Sequence, residues 1–186
     1  MKQKTKRLNI KIRDICFISI FTAIIAVSAQ VSVPMPGGVP VTMQTFAVPL
    51  AGIILGAKRG PLAVIIYILL GMMGAPVFSM FRGGFGVIFG ATGGFILTFP
   101  LVALFAGLAS DCKKYKTILI PASLVLGTVT NYAGGLLMFC AITSSSFGNA
   151  FVVCVMPFIL PDVLKIILAG GIGISAKKIL AKNKIL

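Results

Sequence analysis

Two ionisable side chains interrupt a long apolar stretch near the C-terminus. Asp162 and Lys165 are three residues apart, so a helix would place them on one face. An unpaired charge at mid-membrane costs about 2.5–3.5 kcal/mol on insertion scales, so both are expected to face a protein interior. They could form an ion pair that only orients its helix, or they could bind a ligand. We favour the ligand site, because Arg82 adds a second cation, and two cations facing one carboxylate can hold an anionic group.

The segment around Arg82 is rich in glycine. Residues 81–94 read FRGGFGVIFGATGG, a poor helix former that is also too apolar for an ordinary solvated loop. We therefore expect a loop packed over the outer side of a helix bundle. Its glycines would let the backbone approach a ligand, although tight packing against helices explains them equally well. Gly83, Gly84 and Thr92 are our candidate ligand contacts in this segment.

Two amide side chains lie in other apolar stretches. Gln44 is near the outer end of the second stretch, and Asn131 interrupts the fifth. Polar residues at such positions often join helices to one another. An amide, however, offers a donor and an acceptor together, so Gln44 and Asn131 are better ligand candidates than the hydroxyl-bearing residues beside them.

The composition excludes several kinds of catalytic and metal site. The chain has no histidine and three acidic residues, and its four cysteines form no CxxC pair. Neither a Ser-His triad, nor an HExxH zinc site, nor a Cys/His zinc site can be assembled from it. No Walker loop is present. We predict no catalytic residue, no metal and no cofactor. An intramembrane enzyme that used Asp162 and Lys165 as an acid–base pair stays the alternative from another functional class.

Hydropathy indicates an all-α integral membrane protein. The 186 residues are 58% hydrophobic and 11% charged, with a mean hydropathy of +1.09, whereas soluble domains are about 45–50% apolar. Proline, glycine and charged residues divide the apolar stretches, several of which approach the ~20 residues that a spanning helix needs. The sequence predicts one domain, 1–186, of six transmembrane helices. They cover about 15–33, 41–57, 61–73, 94–108, 118–142 and 151–175.

The basic residues predict the orientation of these helices. All but two of the 17 lysines and arginines fall in the N-terminal segment, the second-to-third loop, the fourth-to-fifth loop or the C-terminal tail. With six spans these segments share one face, which the positive-inside bias makes cytoplasmic, together with both termini. The positive-inside bias thus explains the net charge of +14, and nucleic-acid binding is not expected.

Small residues form a stripe along the first predicted helix. Ser19 and Ala23, and Thr22 and Ala26, are small-xxx-small pairs that allow another helix to approach closely. The spacing fits docking of a partner protein or packing inside the bundle.

Three segments together resemble the BioY family, the substrate-binding membrane subunits of energy-coupling-factor (ECF) biotin transporters. They are PMPGGVPVTMQTFAVPLAGIILGAKRG at 34–60, YILLGMMGAPVFSMFRGGFGVIFGATGGF at 67–95 and MPFILPDVLKIILAG at 156–170. They are similar to the family's PVPVTxQTF, LLGxxGxPVF, GPTGGY and PxDxxK patterns. Ala91 replaces a proline, and Phe95 a tyrosine, of the family pattern. Arg82 stands where relatives often carry a small residue or an amide.

The resemblance implies a six-helix subunit of a prokaryotic cell membrane that binds biotin near its outer face. It also implies two kinds of partner, a transmembrane coupling protein and two cytoplasmic ATPases that supply the energy. We expect Lys165 and Arg82 to hold the biotin carboxylate and Asp162, Gln44 or Asn131 to contact the ureido ring. A substrate-binding subunit for another carboxylated vitamin is the alternative within the same class.

Overall fold

The chain folds into a helical bundle with one short hairpin. The computed structural model describes residues 11–112 and 116–183, with the backbone alone at 116 and 117. The hairpin is antiparallel and pairs Ser32 with Thr42 and Val33 with Val41. In chain order the elements are α1 Ile12–Gln30, β1 Ser32–Val33, β2 Val41–Thr42, α2 Gln44–Met72, a 3-10 turn Ser79–Phe81, α3 Phe85–Ile88, α4 Gly93–Asp111, α5 Lys116–Thr143, α6 Phe147–Cys154 and α7 Met156–Lys182.

Helix α2 consists of two arms joined by a sharp break at Gly56. The break residue has φ 83° and ψ 179°, outside the helical region. The amide of Gln44 donates a hydrogen bond of 2.6 Å to the hydroxyl of Tyr67, 23 residues away. In one straight helix these residues would be about 35 Å apart. The arms 44–55 and 57–72 therefore lie side by side and antiparallel.

Long-range contacts explain why the chain reverses at this glycine. A positive φ suits glycine, because a Cβ is strained in that conformation. A Cβ at Gly56 would also lie 2.7 Å from the carboxylate of Asp111. That carboxylate accepts a hydrogen bond of 2.9 Å from the backbone nitrogen of Ala57, at the start of the second arm. Asp111 thus satisfies one of the donors that a helix start leaves unpaired.

Helix α4 packs along both α2 and α5, while α1 and α7 lie against α2. Ala47, Ala51, Val64 and Tyr67 are fully buried at the centre of this packing. Within the described residues, five helices are long and apolar enough to cross a membrane, namely α1, α2, α4, α5 and α7. Large apolar side chains such as Leu160 are exposed on their outward faces, as expected where lipid surrounds a bundle.

The structure differs from the sequence prediction in two segments. The glycine-rich stretch 81–94, expected to be a loop, contains α3, and Gly93 and Gly94 already belong to α4. The helix expected at 151–175 is interrupted at Val155 (φ −124°, ψ −53°), so that its first residues belong to α6 and the rest to α7, which continues to Lys182. Pro157 in the first turn of α7 lacks an amide hydrogen, which suits a helix start.

Candidate ligand-binding cavity

A cavity opens where the first arm of α2 meets α4, α5 and α7. The hairpin and the 3-10 turn complete its wall. The lining residues are Val39, Pro40, Thr42, Gln44, Thr45, Ser79, Thr92, Phe95, Ile96, Phe99, Asn131, Tyr132, Phe158 and Asp162. Four of the eight ligand candidates proposed from sequence line this cavity: Gln44, Thr92, Asn131 and Asp162.

Asp162 is the most buried polar residue of the cavity, with 2% of its surface exposed. Its Oδ1 accepts hydrogen bonds from the Thr45 hydroxyl at 2.8 Å and from the Lys165 ammonium at 3.0 Å. Its Oδ2 accepts from the Tyr132 hydroxyl at 2.8 Å. A carboxylate has about four acceptor positions. The protein occupies three of them, so about one remains for a donor in the cavity.

Lys165 lies behind Asp162 rather than in the cavity wall. Its ammonium donates to the Thr42 carbonyl at 2.8 Å, to the Thr45 hydroxyl at 3.2 Å and to Asp162 at 3.0 Å. An ammonium has three hydrogens, and these contacts use all three. Both side chains are buried, as predicted, and they form the ion pair that the sequence offered as the alternative to a ligand site. In this arrangement Lys165 neutralises and orients the carboxylate.

Gln44 is held by residues on both sides. Its Oε1 accepts from the Thr42 hydroxyl at 3.2 Å, and its Nε2 donates to Tyr67 at 2.6 Å. Only one of the two amide hydrogens is used in these contacts. The second hydrogen is available to a ligand, because Gln44 lies in the cavity wall.

Asn131 presents its oxygen rather than its nitrogen. The Nδ2 donates to the Phe95 carbonyl and to the Thr98 hydroxyl, both at 2.8 Å. Among the described residues, no donor bonds its Oδ1, and the same holds for the hydroxyls of Ser79 and Thr92. The cavity therefore offers an amide acceptor and two hydroxyls that can donate or accept.

Aromatic and aliphatic side chains form the rest of the wall. Phe95, Phe99 and Phe158 come from α4 and α7, and Val39 and Pro40 come from the turn before β2. Such a wall with a few convergent polar groups is typical of a small-molecule site. It suits a ligand with one polar end and an apolar body.

The three other candidates, all from the glycine-rich segment, lie outside the cavity wall. Arg82, expected to be the second cation of the ligand site, is exposed; its Nε donates to the Ser79 carbonyl at 3.3 Å. Gly83 packs directly on the Ala75 carbonyl, which leaves no room for a side chain. Gly84 has φ 92°, and its backbone nitrogen donates to the Gly71 carbonyl at 2.6 Å. The two glycines thus fix the loop to the end of α2.

Two polar contacts of Asp162 were missed by sequence reasoning. Thr45 and Tyr132 resembled ordinary interhelical polar residues, since neither has a spacing that links it to Asp162. They are 117 and 30 residues away in sequence. Their position within otherwise apolar stretches was the one available signal.

The small residues of α1 divide between two environments. The Thr22 hydroxyl is buried and bonds the Ile18 and Ala63 carbonyls at 2.9 and 3.0 Å, so it faces the second arm of α2. Ser19 and Ala23 are exposed, and Ala26 is half-buried. The exposed stripe is therefore narrower than the four residues proposed from sequence.

Comparisons with known proteins agree with this helical architecture. The BioY family model matches residues 1–182. The probable biotin transporter BioY of Pyrococcus horikoshii is 39% identical over 155 residues, which cover 83% of this chain and 90% of that protein. The biotin transporter BioY of Thermotoga maritima is 40% identical over 167 residues, or 90% and 97% of the two chains.

A solved structure shares the fold. It is the 2.1 Å crystal structure of the S-component for biotin from an ECF-type ABC transporter, with a TM-score of 0.80 and 20% identity, covering 90% of this chain and 92% of that one. With its apolar helices and this match to the family model, the protein is a multi-pass membrane protein. The chain belongs to the BioY family.

Proposed function

We propose that this chain is the biotin-binding membrane subunit of an ECF-type vitamin uptake transporter. The observation that carries the proposal is the set of unused hydrogen-bonding groups around Asp162. The relatives named as biotin transporters match over nearly their whole length, which favours the same ligand here. Biotin has a ureido ring with two N–H donors and one carbonyl acceptor, an apolar ring, and a carboxylate on an alkyl chain.

The ureido ring fits the inner end of the cavity. One ureido N–H would donate to the remaining acceptor position of Asp162, and the other would donate to Oδ1 of Asn131. The second amide hydrogen of Gln44 would donate to the ureido carbonyl. A buried polar group costs free energy unless it finds a partner, so this pairing of donors with acceptors would select for the ring.

The alkyl chain would then run along Phe95 and Phe99 toward the cavity mouth. Ser79 lies in the wall, and its carbonyl already accepts from Arg82. The remaining guanidinium hydrogens of Arg82 could reach a carboxylate leaving the cavity there. We therefore assign the carboxylate to Arg82, with help from Thr92, and assign Lys165 to holding Asp162.

We propose that the two arms of α2 are separate membrane spans, which gives six spans with α1, α4, α5 and α7. The hydrogen bond between Gln44 and Tyr67 supports this division. Six spans place both termini on one side. The concentration of basic residues on that side supports a cytoplasmic location in a prokaryotic cell membrane.

Energy for uptake would come from partners, a transmembrane coupling protein and two cytoplasmic ATPases. The structural neighbour is an S-component of an ECF-type transporter, and this chain has no Walker motif. Both facts support a role in binding the ligand while partner proteins hydrolyse ATP. We propose that Ser19, Ala23 and Ala26 form the docking face for the coupling protein, since they are the small residues of α1 that remain exposed or half-buried. Thr22 would support that face from within.

Binding calorimetry on the purified chain, against a panel of carboxylated and uncharged vitamins, tests the proposed function. We expect saturable binding of biotin at one site per chain, with no turnover of the ligand. Tighter binding of another carboxylated vitamin would reassign the subunit to that vitamin. Conversion of bound biotin to a product by the purified chain would instead indicate an enzyme.

A further inference from the structure

The side chain of Gln30, the last residue of α1, forms hydrogen bonds with the loop between α2 and α3. We call this set of hydrogen bonds the clasp. Its Nε2 lies 3.3 Å from the Val77 carbonyl and 3.1 Å from the Phe78 carbonyl. Its Oε1 accepts a hydrogen bond of 2.9 Å from the backbone nitrogen of Phe81. One amide side chain therefore bonds both ends of segment 77–82.

The clasped segment has an uncommon backbone conformation. Met80 and Phe81 have φ angles of 61° and 56°, in the left-handed region that non-glycine residues rarely adopt. Phe78 and Arg82 pair across the segment in an antiparallel bridge. Such a conformation persists only when surrounding contacts hold it. The Gln30 amide, at the end of α1, supplies contacts that hold segment 77–82 in this conformation.

Segment 77–82 contributes to the ligand cavity directly, and it also contacts a residue that positions the cavity wall. Ser79 lies in the cavity wall. Phe78 is fully buried and meets Tyr67 edge-on, with ring centroids 5.5 Å apart. The Tyr67 hydroxyl in turn accepts the hydrogen bond from Gln44. A change in the position of segment 77–82 would therefore alter the wall and the orientation of Gln44.

We propose that Gln30 is a positioning residue that keeps the cavity closed around its ligand, although it does not line the cavity. The proposal rests on the biotin-binding function proposed above. Gln30 also continues the stripe of Ser19, Ala23 and Ala26 by one helical turn.

The test compares Gln30→Ala and the isosteric Gln30→Glu with Ser28→Ala. The glutamate keeps an acceptor for Phe81 but loses the amide donors. Ser28 is half-buried on the same helix and has no hydrogen-bond partner among the described residues. Two quantities are measured on the purified full chain: hydrogen–deuterium exchange of peptides covering 77–84 without ligand, and the dissociation rate of radiolabelled biotin.

We expect faster exchange in 77–84 for both Gln30 variants and a biotin dissociation rate raised about tenfold, since Gln30→Ala loses all three loop contacts and Gln30→Glu loses the two that Nε2 donates. Ser28→Ala should match the wild type in both measurements. Unchanged exchange would overturn the clasp, and faster exchange with unchanged dissociation would overturn its role in holding the ligand. If the wild type bound no biotin, the proposed function would fail and the role in ligand retention with it, while the exchange data would still test the clasp.

Discussion

Two lysines of helix α7 form ion pairs with aspartates at nearly the same distance but in different surroundings. Lys165 lies 3.0 Å from Asp162, and Lys177 lies 2.9 Å from Asp111. The first pair has side chains 10% and 2% exposed, whereas the second has 24% and 51%. The same two residue types thus form a buried pair at the cavity and an exposed pair at the opposite end of the helix.

The partners of each pair explain what it can do. Asp162 accepts from Thr45 and Tyr132 and still faces the cavity. Lys177 also donates to the Ser110 hydroxyl at 2.9 Å, and Asp111 accepts from Ala57, so this pair joins α7 to α4 and to the break in α2. Burial makes the first pair expensive to disrupt, while solvent lowers the energetic value of the second. Ligand binding should therefore depend on the first pair and not on the second.

The largest expected effect comes from removing the buried pair. Asp162→Asn should weaken biotin binding at least about 100-fold, because it removes the anionic acceptor. It also leaves Lys165 buried without its counter-ion, so the double variant Asp162→Asn with Lys165→Met provides a form with no unpaired buried charge. We expect that form to unfold near the wild-type temperature yet fail to bind biotin in calorimetry.

Asp111→Asn is the matched control for the buried pair. It should leave biotin affinity within about twofold of wild type, since none of its described contacts reaches the cavity. Biotin binding by the Asp162/Lys165 double variant at wild-type affinity would place the ligand elsewhere.

A second effect should separate Arg82 from Lys165. Arg82→Gln should weaken binding of biotin about tenfold, because a charge-assisted hydrogen bond to the carboxylate is lost. Binding of biotin amide, which has no carboxylate, should change little. The competition of both ligands with radiolabelled biotin measures this difference. If Lys165→Met rather than Arg82→Gln discriminated between the two ligands, the carboxylate would pair with Lys165.

Tyr132→Phe should have a smaller effect than either change. The variant keeps the ring but removes the hydroxyl that donates to Oδ2 of Asp162. Because this hydroxyl orients Asp162 and does not bond the ligand itself, we expect a loss of affinity below about tenfold. Thr130→Ala is the control for this loss of a hydroxyl. That exposed hydroxyl bonds only the Leu126 carbonyl of its own helix. Equal affinity of Tyr132→Phe and wild type would remove Tyr132 from the site.

The smallest effect is expected at the exposed pair. Lys177→Met should lower the free energy of unfolding by about 1 kcal/mol or less and leave biotin affinity unchanged. Thermal unfolding in detergent, followed at low and high salt, measures the contribution, and salt should reduce the difference between the variant and wild type. A loss of biotin binding in Lys177→Met would mean that the two pairs of α7 are coupled.

Local pattern was sufficient to predict the helical membrane class and the burial of Asp162 and Lys165 on one helix face. Both depend on short-range features, namely apolar stretches and a three-residue spacing on one helix. Thr45 and Tyr132 could not be assigned to Asp162, because those contacts form only when distant helices pack. The exposure of Arg82 was missed for a related reason: the backbone of 77–84, fixed by Gln30 and the end of α2, directs it outward.

The exact position of the chain reversal at Gly56 also depends on a contact between distant residues. The sequence suggested a break near Lys58, Gly60 and Pro61, where charge and proline interrupt the apolar stretch. In the structure the second arm already begins at Ala57, whose nitrogen bonds Asp111 from the end of α4. A capping residue 54 positions away cannot be identified from local sequence.

The claim that Asp162 and Asn131 receive the ureido ring is tested most directly with a modified ligand. Calorimetric titration of the purified wild-type chain would compare biotin with an analogue whose two ureido nitrogens are methylated. The methyl groups remove both donors while keeping the apolar ring and the carboxylate. We predict that the analogue binds at least about 100-fold more weakly, because buried acceptors are left without partners. Equal affinity for the two ligands would contradict the placement of the ureido ring against Asp162.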